Sequence, residues 1–77
     1  MEIEIIAFGK ISEFIRSQRL RVPEISNTND LKVYLEKSFP ELSAMKYKLA
    51  LNKNIVQENV GLSDHDTVAI MPPFSGG

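Results

Sequence analysis

The first residues of the chain alternate between polar and apolar side chains, which predicts a β-strand over residues 2–8. Ile3, Ile5 and Ala7 fall on one face of this strand. The other face changes from charged to apolar along its length, in the order Glu2, Glu4, Ile6 and Phe8. One face is therefore apolar throughout, and the other only near the end of the strand.

Residues 10–22 predict a short helical segment and then a second strand. Apolar residues at helical spacing favour a helix or a helical turn within residues 10–17. Leu20 and Val22 then alternate with Arg19 and Arg21, which predicts a strand that pairs with the first as a hairpin. Pro23 has no amide hydrogen to donate, so we expect this strand to lie at a sheet edge or to end there.

One main helix follows the second strand. The polar residues 27–30 are suited to capping a helix start, and the pattern alone does not decide which of them does so. Pro40 ends the helical run. One side of the helix is marked by Leu31, Tyr34, Leu35 and Ser38.

Two further runs predict the remaining strands. Residues 48–52 alternate, and the turn signal Asn52-Lys53-Asn54 favours a short return strand that begins with Ile55 and Val56. A loop is predicted over residues 61–66 and a last strand over residues 67–71. In that strand Val68 and Ile70 share one face, and Ala69 and Met71 share the other.

The order of the predicted elements favours a β-grasp fold of the α+β class. In this fold a mixed sheet of roughly four to five strands curls over one main helix. We expect the first and last strands to be adjacent and parallel at the sheet centre, because the intervening elements supply the long crossover. A chain of 77 residues is one domain. We divide it into a β-grasp body, residues 1–72, and a flexible C-terminal tail, residues 73–77.

Composition narrows the possible functions. The chain is 43% hydrophobic and 25% charged, as expected of a folded soluble domain. A net charge of -1 with interspersed acids and bases argues against a broad basic surface for nucleic acid. Cysteine is absent, which excludes disulfides, thiolate nucleophiles and cysteine-based metal sites. The sequence shows no signal-peptide or membrane-span pattern, so we expect a cytoplasmic protein that does not bind membranes.

The folded body has two polar features that carry alternative interpretations. His65, the only histidine, lies within Ser63-Asp64-His65-Asp66, which is either a metal site or a tight turn. We favour the turn, because adjacent loop residues rarely point at one centre. The densest basic stretch contains Lys10, Arg16, Arg19 and Arg21. It either contacts phosphate or an acidic surface or forms a solvated edge, and the acidic residues on both sides favour the edge.

The C-terminal tail is the strongest candidate for chemistry. Pro72 and Pro73 end the last strand and favour extended backbone. Residues 73–77 then reach about 16 to 18 Å, enough to enter another protein's active site. Gly76 and Gly77 have no side chains and can pass through a narrow channel, and a terminal carboxylate on Gly77 can be activated by adenylation. The alternative is a frayed end, which leaves the aromatic side chain within it unexplained.

Residues 68–77, Val-Ala-Ile-Met-Pro-Pro-Phe-Ser-Gly-Gly, closely resemble the small, sulfur-carrier subunits of molybdopterin synthase, a ubiquitin-like β-grasp family. The resemblance spans the whole chain and includes Ala7-Phe8-Gly9 and a turn similar to the family's Leu-x-Asp-Gly-Asp-x-Val. The Pro-Pro-x-x-Gly-Gly ending is its specific part. Two residues depart from the family: His65 stands where glycine is usual, and Ser12 where many members have arginine.

This resemblance implies a carrier that is not an enzyme on its own. An activating enzyme would use ATP to adenylate the Gly77 carboxylate, and sulfur would replace AMP to give a thiocarboxylate. The tail would then enter the large subunit, where two rounds of transfer convert cyclic pyranopterin monophosphate to molybdopterin in a heterotetramer. The chain itself is expected to bind no cofactor, no metal and no nucleic acid.

The strand pattern also predicts a docking patch. If the first and last strands pair in parallel, four apolar residues share the face turned away from the helix, and such a patch marks an interface more often than idle surface. An error in the strand pattern or a covering loop would remove it. The predicted partner-binding residues are Ile6, Phe8, Ala69 and Met71, followed by Pro72, Pro73, Phe74 and Ser75 of the strand end and tail.

Other functions stay open at this stage. The nearest is a sulfur carrier for thiamine thiazole or cysteine synthesis, whose tail would more often lack the two prolines. A ubiquitin-like modifier attached to lysines, or a β-grasp binding module that never uses its end, would belong to a different class of protein.

Overall fold

The computed structural model describes residues 1–73, which contain five strands, one α-helix and two 3-10 helices. Along the chain the elements are β1 (Glu2–Ala7), a 3-10 helix (Gly9–Glu13), β2 (Gln18–Arg21), α1 (Thr28–Ser38), a 3-10 helix (Pro40–Ala44), β3 (Lys48–Leu51), β4 (Asn54–Ile55) and β5 (Thr67–Met71). Among these residues no helix combines the length and the apolar content needed to cross a membrane.

The strands form one mixed sheet in the order β2-β1-β5-β3-β4. β1 and β5 are parallel neighbours at its centre, and the other pairs are antiparallel. β2 lies at one edge, as Pro23 predicts. The predicted β-grasp arrangement, with its central parallel pair, is therefore confirmed.

The core lies between the sheet and α1. The sheet contributes the inward residues of β1, β3 and β5, because side chains alternate between the two faces of a sheet. Ile3 and Ile5 of β1 and Leu31 and Leu35 of α1 are completely buried. Thr28 is the buried polar side chain of the described residues, and its hydroxyl accepts a hydrogen bond from the Val60 amide at 3.0 Å. The core is thus apolar and its polar member is satisfied.

Asn27 is the residue that caps α1. Its side-chain oxygen accepts a hydrogen bond from the Asp30 amide at 2.8 Å, which satisfies one of the free amides of the first turn. The helix ends at Ser38, before the predicted proline. Pro40 also begins a 3-10 helix that we did not predict, and this helix buries Leu42 completely.

The helical segment after β1 is shorter than the predicted window. It is a 3-10 helix that ends at Glu13, so the interpretation as a helical turn is confirmed. β1 ends at Ala7, one residue before the prediction, although the Phe8 amide still donates to the Ile70 carbonyl at 3.0 Å. The backbone then leaves the sheet at Gly9, where φ is +58°.

Candidate interaction surface at the base of the tail

The pairing of β1 with β5 collects apolar side chains on the face turned away from α1. Ile6 lies opposite Ala69 in the parallel register. Phe8 and Met71, two residues further along each strand, fall on the same face. The residues that alternate with them along the two strands point into the core and are buried, namely Ile5, Ala7, Val68 and Ile70. The prediction that these residues share one face of the sheet is correct, whereas their role in binding stays a prediction.

These side chains line an open groove of about 500 Å³, called the sheet groove below. Across the four strands from β1 to β4, Ile6, Ala69, Ala50 and Ile55 lie in one row. Small alanines on the two middle strands and larger isoleucines on the outer two make the row concave. Phe8 is 49% exposed and Ile55 is 43% exposed, so the groove is open to a partner.

Gly9 and Pro72 pack together where the tail begins. A Cβ atom on Gly9 would lie 2.9 Å from Cγ of Pro72, closer than such atoms approach. Gly9 also has a positive φ, which favours glycine, and the close approach of Pro72 leaves no room for a side chain. Pro72 is half-buried against this turn and Pro73 is exposed. The predicted roles of Phe74, Ser75, Gly76 and Gly77 lie outside the described residues.

The opposite end of β1 is held by the turn that contains His65. This residue has φ of +69°, and its amide donates to the Glu2 carbonyl at 2.6 Å. The Glu2 amide donates to the Asp64 carboxylate at 2.7 Å, and the Ser63 amide donates to the Asp66 carboxylate at 2.8 Å. The turn interpretation is confirmed. Among residues 1–73 no three acidic or histidine side chains are placed to hold a metal ion.

Hydrogen bonding in this turn alters the acidity of Asp64. The Glu2 amide lowers the pKa of the Asp64 carboxyl because it stabilises the ionised form, and the nearby His65 acts in the same direction. Nε2 of His65 lies 3.5 Å from the Asp64 carboxylate. These groups stabilise the turn and lie at the end of β1 remote from the tail.

The arginines of β2 lie opposite glutamates of β1. Arg19 is opposite Glu4 and Arg21 is opposite Glu2 in the antiparallel register, and both arginines are exposed. Opposite charges in facing positions stabilise a strand pair modestly. The arrangement agrees with a solvated edge.

Comparison with known proteins identifies the family. Residues 5–77 match the ThiS family, so only residues 1–4 lie outside the match. The chain belongs to the ThiS family. This ThiS-family chain is 36% identical over 83 aligned positions, covering all of both chains, to a protein of Chlamydomonas reinhardtii named molybdopterin synthase sulfur carrier subunit. The resemblance predicted from the sequence is confirmed.

Solved structures similar to the ThiS-family chain confirm its fold. A putative molybdopterin converting factor, subunit 1, from Pyrococcus furiosus superimposes with a TM-score of 0.82 at 18% identity, covering 95% of this chain and 98% of that one. Subunits 1 and 2 of the molybdopterin-converting factor of Helicobacter pylori were solved as a complex, and the match there has a TM-score of 0.67 at 24% identity over all of both chains.

Two parts of the site were missed by the reasoning from sequence. Ala50 and Ile55 also line the sheet groove, and the alternation in residues 48–52 already places Ala50 on the other face of its strand from Leu49 and Leu51. The pattern did not show that β3 lies beside β5 in the sheet, which is what brings Ala50 next to Ala69. The contact of Gly9 with Pro72 had no sequence signal beyond the glycine itself.

Proposed function

We propose that this protein is the sulfur-carrier subunit of a molybdopterin synthase. An activating enzyme uses ATP to adenylate the Gly77 carboxylate, and a sulfur donor then displaces AMP to leave a thiocarboxylate. The thiocarboxylate donates its sulfur to cyclic pyranopterin monophosphate within the large subunit, and two such transfers form the dithiolene of molybdopterin. The full-length identity of 36% with the Chlamydomonas protein supports this assignment.

The observation that carries the proposal is the position of the sheet groove. It lies on the face of β5, and Met71 at the end of β5 is part of its lining. A partner bound in the groove therefore holds the body directly beside the start of the tail. From there residues 73–77 span about 16 to 18 Å when extended, which is a suitable length for delivering Gly77 into an active site.

Catalytic groups come from the partners in this proposal. His65 is the only histidine of the chain, and it lies at the end of β1 remote from Pro72. The activating enzyme consumes ATP and the large subunit binds the pterin, while the carrier binds no cofactor of its own. We expect the carrier to act in the cytoplasm, in a heterotetramer with two small subunits, without contact with nucleic acid or membranes.

Intact-mass measurement tests the proposal. The protein is incubated with ATP, an activating enzyme and a sulfur donor, and a chain without Gly77 serves as the control. We expect the full chain to gain the mass of one oxygen-to-sulfur exchange and the control to gain none. Conjugates on lysine would instead support a modifier, and an unchanged mass would support a binding module.

A second measurement assigns the pathway. The thiocarboxylate form is mixed with a large subunit and cyclic pyranopterin monophosphate, and molybdopterin is measured by its fluorescent oxidation product. Formation of molybdopterin is the expected result. Sulfur transfer that instead supports only thiazole or cysteine synthesis would overturn this assignment and leave sulfur carriage intact.

A further inference from the structure

A second groove lies on the helix side of the tail base. It has a volume of about 410 Å³ and runs between α1 and the segment that leads into β3. Lys32 of α1, Lys46 of that segment and Lys48 at the start of β3 line it, and it extends to Pro73. We call it the lysine groove. Since Pro73 is the last described residue, this groove begins where the tail begins.

The carboxylate of Glu36 also lines this groove. Glu36 accepts a hydrogen bond from the Tyr47 hydroxyl at 2.5 Å, which ties α1 to the start of β3. Burial raises the pKa of Tyr47 far above its ordinary value, and Glu36 acts in the same direction. The hydroxyl therefore stays protonated at neutral pH and remains the donor in this bond.

The lysines of the groove lack acidic partners among residues 1–73. Both close ion pairs of this part of the chain involve His65, so none of its carboxylates is in ion-pair contact with a lysine. Lys32, Lys46 and Lys48 outnumber Glu36, the acidic residue that lines the groove among residues 1–73, so the groove would attract an anionic partner. The chain as a whole has a net charge of -1. The positive charge is therefore a local property of this groove.

The chemistry of the groove favours an acidic polypeptide segment. Met45 and Pro73 give it apolar lining, which suits the mixed side chains of a peptide. Tyr47 is half-buried and its hydroxyl is bonded, so it offers no free ring on which a base can stack. The net charge of -1 also gives no extended basic track for a phosphate backbone.

The area that a stable interface buries also suggests that a partner contacts the lysine groove. Stable complexes bury about 800 Å² per partner, roughly a sixth of the 5093 Å² surface of this chain. The few side chains of the sheet groove are too small an area for this. A partner that binds the sheet groove and also holds the tail contacts the residues where the tail begins. The lysine groove lies directly beyond those residues, on the side opposite the sheet groove.

We propose that the lysine groove binds an acidic segment of the large synthase subunit, so that the subunit grips the carrier on both sides of the tail base. This inference rests on the proposed function. The sheet groove then supplies apolar contact, and the lysine groove supplies electrostatic attraction and restricts rotation of the carrier about its tail.

Charge reversal with a matched control tests the inference. Affinity for the cognate large subunit is measured by titration calorimetry for wild type, Lys46→Glu, Lys46→Arg and Lys37→Glu. Lys37 is an exposed lysine of α1 outside the groove, so its reversal changes the net charge equally. We expect Lys46→Glu to weaken binding about tenfold at low salt and less at high salt, because salt screens charge pairs. Lys46→Arg and Lys37→Glu should each stay within about twofold.

The outcomes separate this inference from the proposed function. Equal losses for Lys46→Glu and Lys37→Glu, or a loss that does not depend on salt, would overturn the lysine groove as a specific contact. So would a loss confined to binding of the activating enzyme. If wild type binds the large subunit and forms a thiocarboxylate, the proposed function stands whatever these variants do. If wild type does neither, both proposals fail. Circular dichroism confirms that each variant is folded.

Discussion

The two ends of the central β1–β5 strand pair differ in polarity. At the turn end, backbone amides and carboxylates bond to each other, as the Glu2 amide does with Asp64 and the Ser63 amide with Asp66. At the tail end, Phe8 and its neighbours leave apolar surface open to solvent. The turn end satisfies its own polar groups, whereas the tail end presents apolar side chains to solvent.

This comparison separates stability from binding within one small domain. Changes at the turn end should alter the free energy of unfolding and leave partner affinity alone, and changes on the sheet groove should do the reverse. Gly9 and Pro72 are the exception, because they lie where the body passes into the tail. Four substitutions test this division, beginning with the largest expected effect.

Phe8→Asp should weaken binding to the large subunit by about 100-fold, because exposed aromatic anchors at the centre of an interface dominate its energy. The fold should tolerate the change, since Phe8 is already 49% exposed. Val33→Asp is the matched control, because Val33 is 55% exposed on α1 and lies outside both grooves. Titration calorimetry gives both affinities, and similar values for the two variants would contradict the docking patch.

Gly9→Ala should destabilise the protein by about 1 to 2 kcal/mol, because an L-residue at its positive φ is strained and the new methyl group contacts Pro72. Urea unfolding measures the loss. The same substitution in a Pro72→Ala background should cost less, since the ring atoms that crowd the methyl group are absent. An equal cost in both backgrounds would leave backbone strain as the only cause.

His65→Gly should stabilise the protein by about 0.5 to 1 kcal/mol, because glycine adopts the positive φ at this position without strain. The exposed ion pairs lost with the imidazole contribute little. His65→Ala is the control and should give no gain, because alanine keeps the strain. Binding to the large subunit should be unchanged in both variants, and a change in affinity would break the separation of the two ends.

Asp64→Asn should have the smallest effect, and that effect should depend on pH. The pKa of Asp64 in the folded state lies below its ordinary value of 3.8. Its charge therefore adds stability above that value, and this contribution is lost as the pH falls through the folded-state pKa. The urea midpoints of wild type and Asp64→Asn should differ at neutral pH and converge as the pH falls below 3.8 and through the folded-state pKa. A difference that persists in acid would point to geometry and not to charge.

Alternation of side chains made most of the sheet predictable. The period of two is strict, so Val68 and Ile70 had to face the core once one face was assigned to it, and Ala69 and Met71 had to face away. The parallel pairing followed from the order of the elements. The apolar outer face of β1 and β5 was predictable for the same reason, since the inner face of these strands is core, while its role in docking stays a prediction.

Features that depend on which groups come close together in the folded chain were not predictable. Asn27 and its polar neighbours are all suitable caps, and only the backbone geometry selects Asn27. Leu42 is the one large apolar residue of the segment Pro40–Ala44, too short a signal for the 3-10 helix that buries it. Lys32 and Lys46 both line the lysine groove, although the rest of α1 and a 3-10 helix separate them along the chain. No local sequence pattern therefore shows that the two are close.

The place of β5 between β1 and β3 has a mechanical consequence. A force applied to the chain beyond β5 acts on the end of β5 along the strand axis. That direction loads the hydrogen bonds to both neighbouring strands in shear, so that they share the force and do not open one after another. We expect a chain pulled by its C-terminal residue to unfold at a higher force than one pulled across the β3–β4 hairpin. A lower force in a single-molecule measurement would refute this.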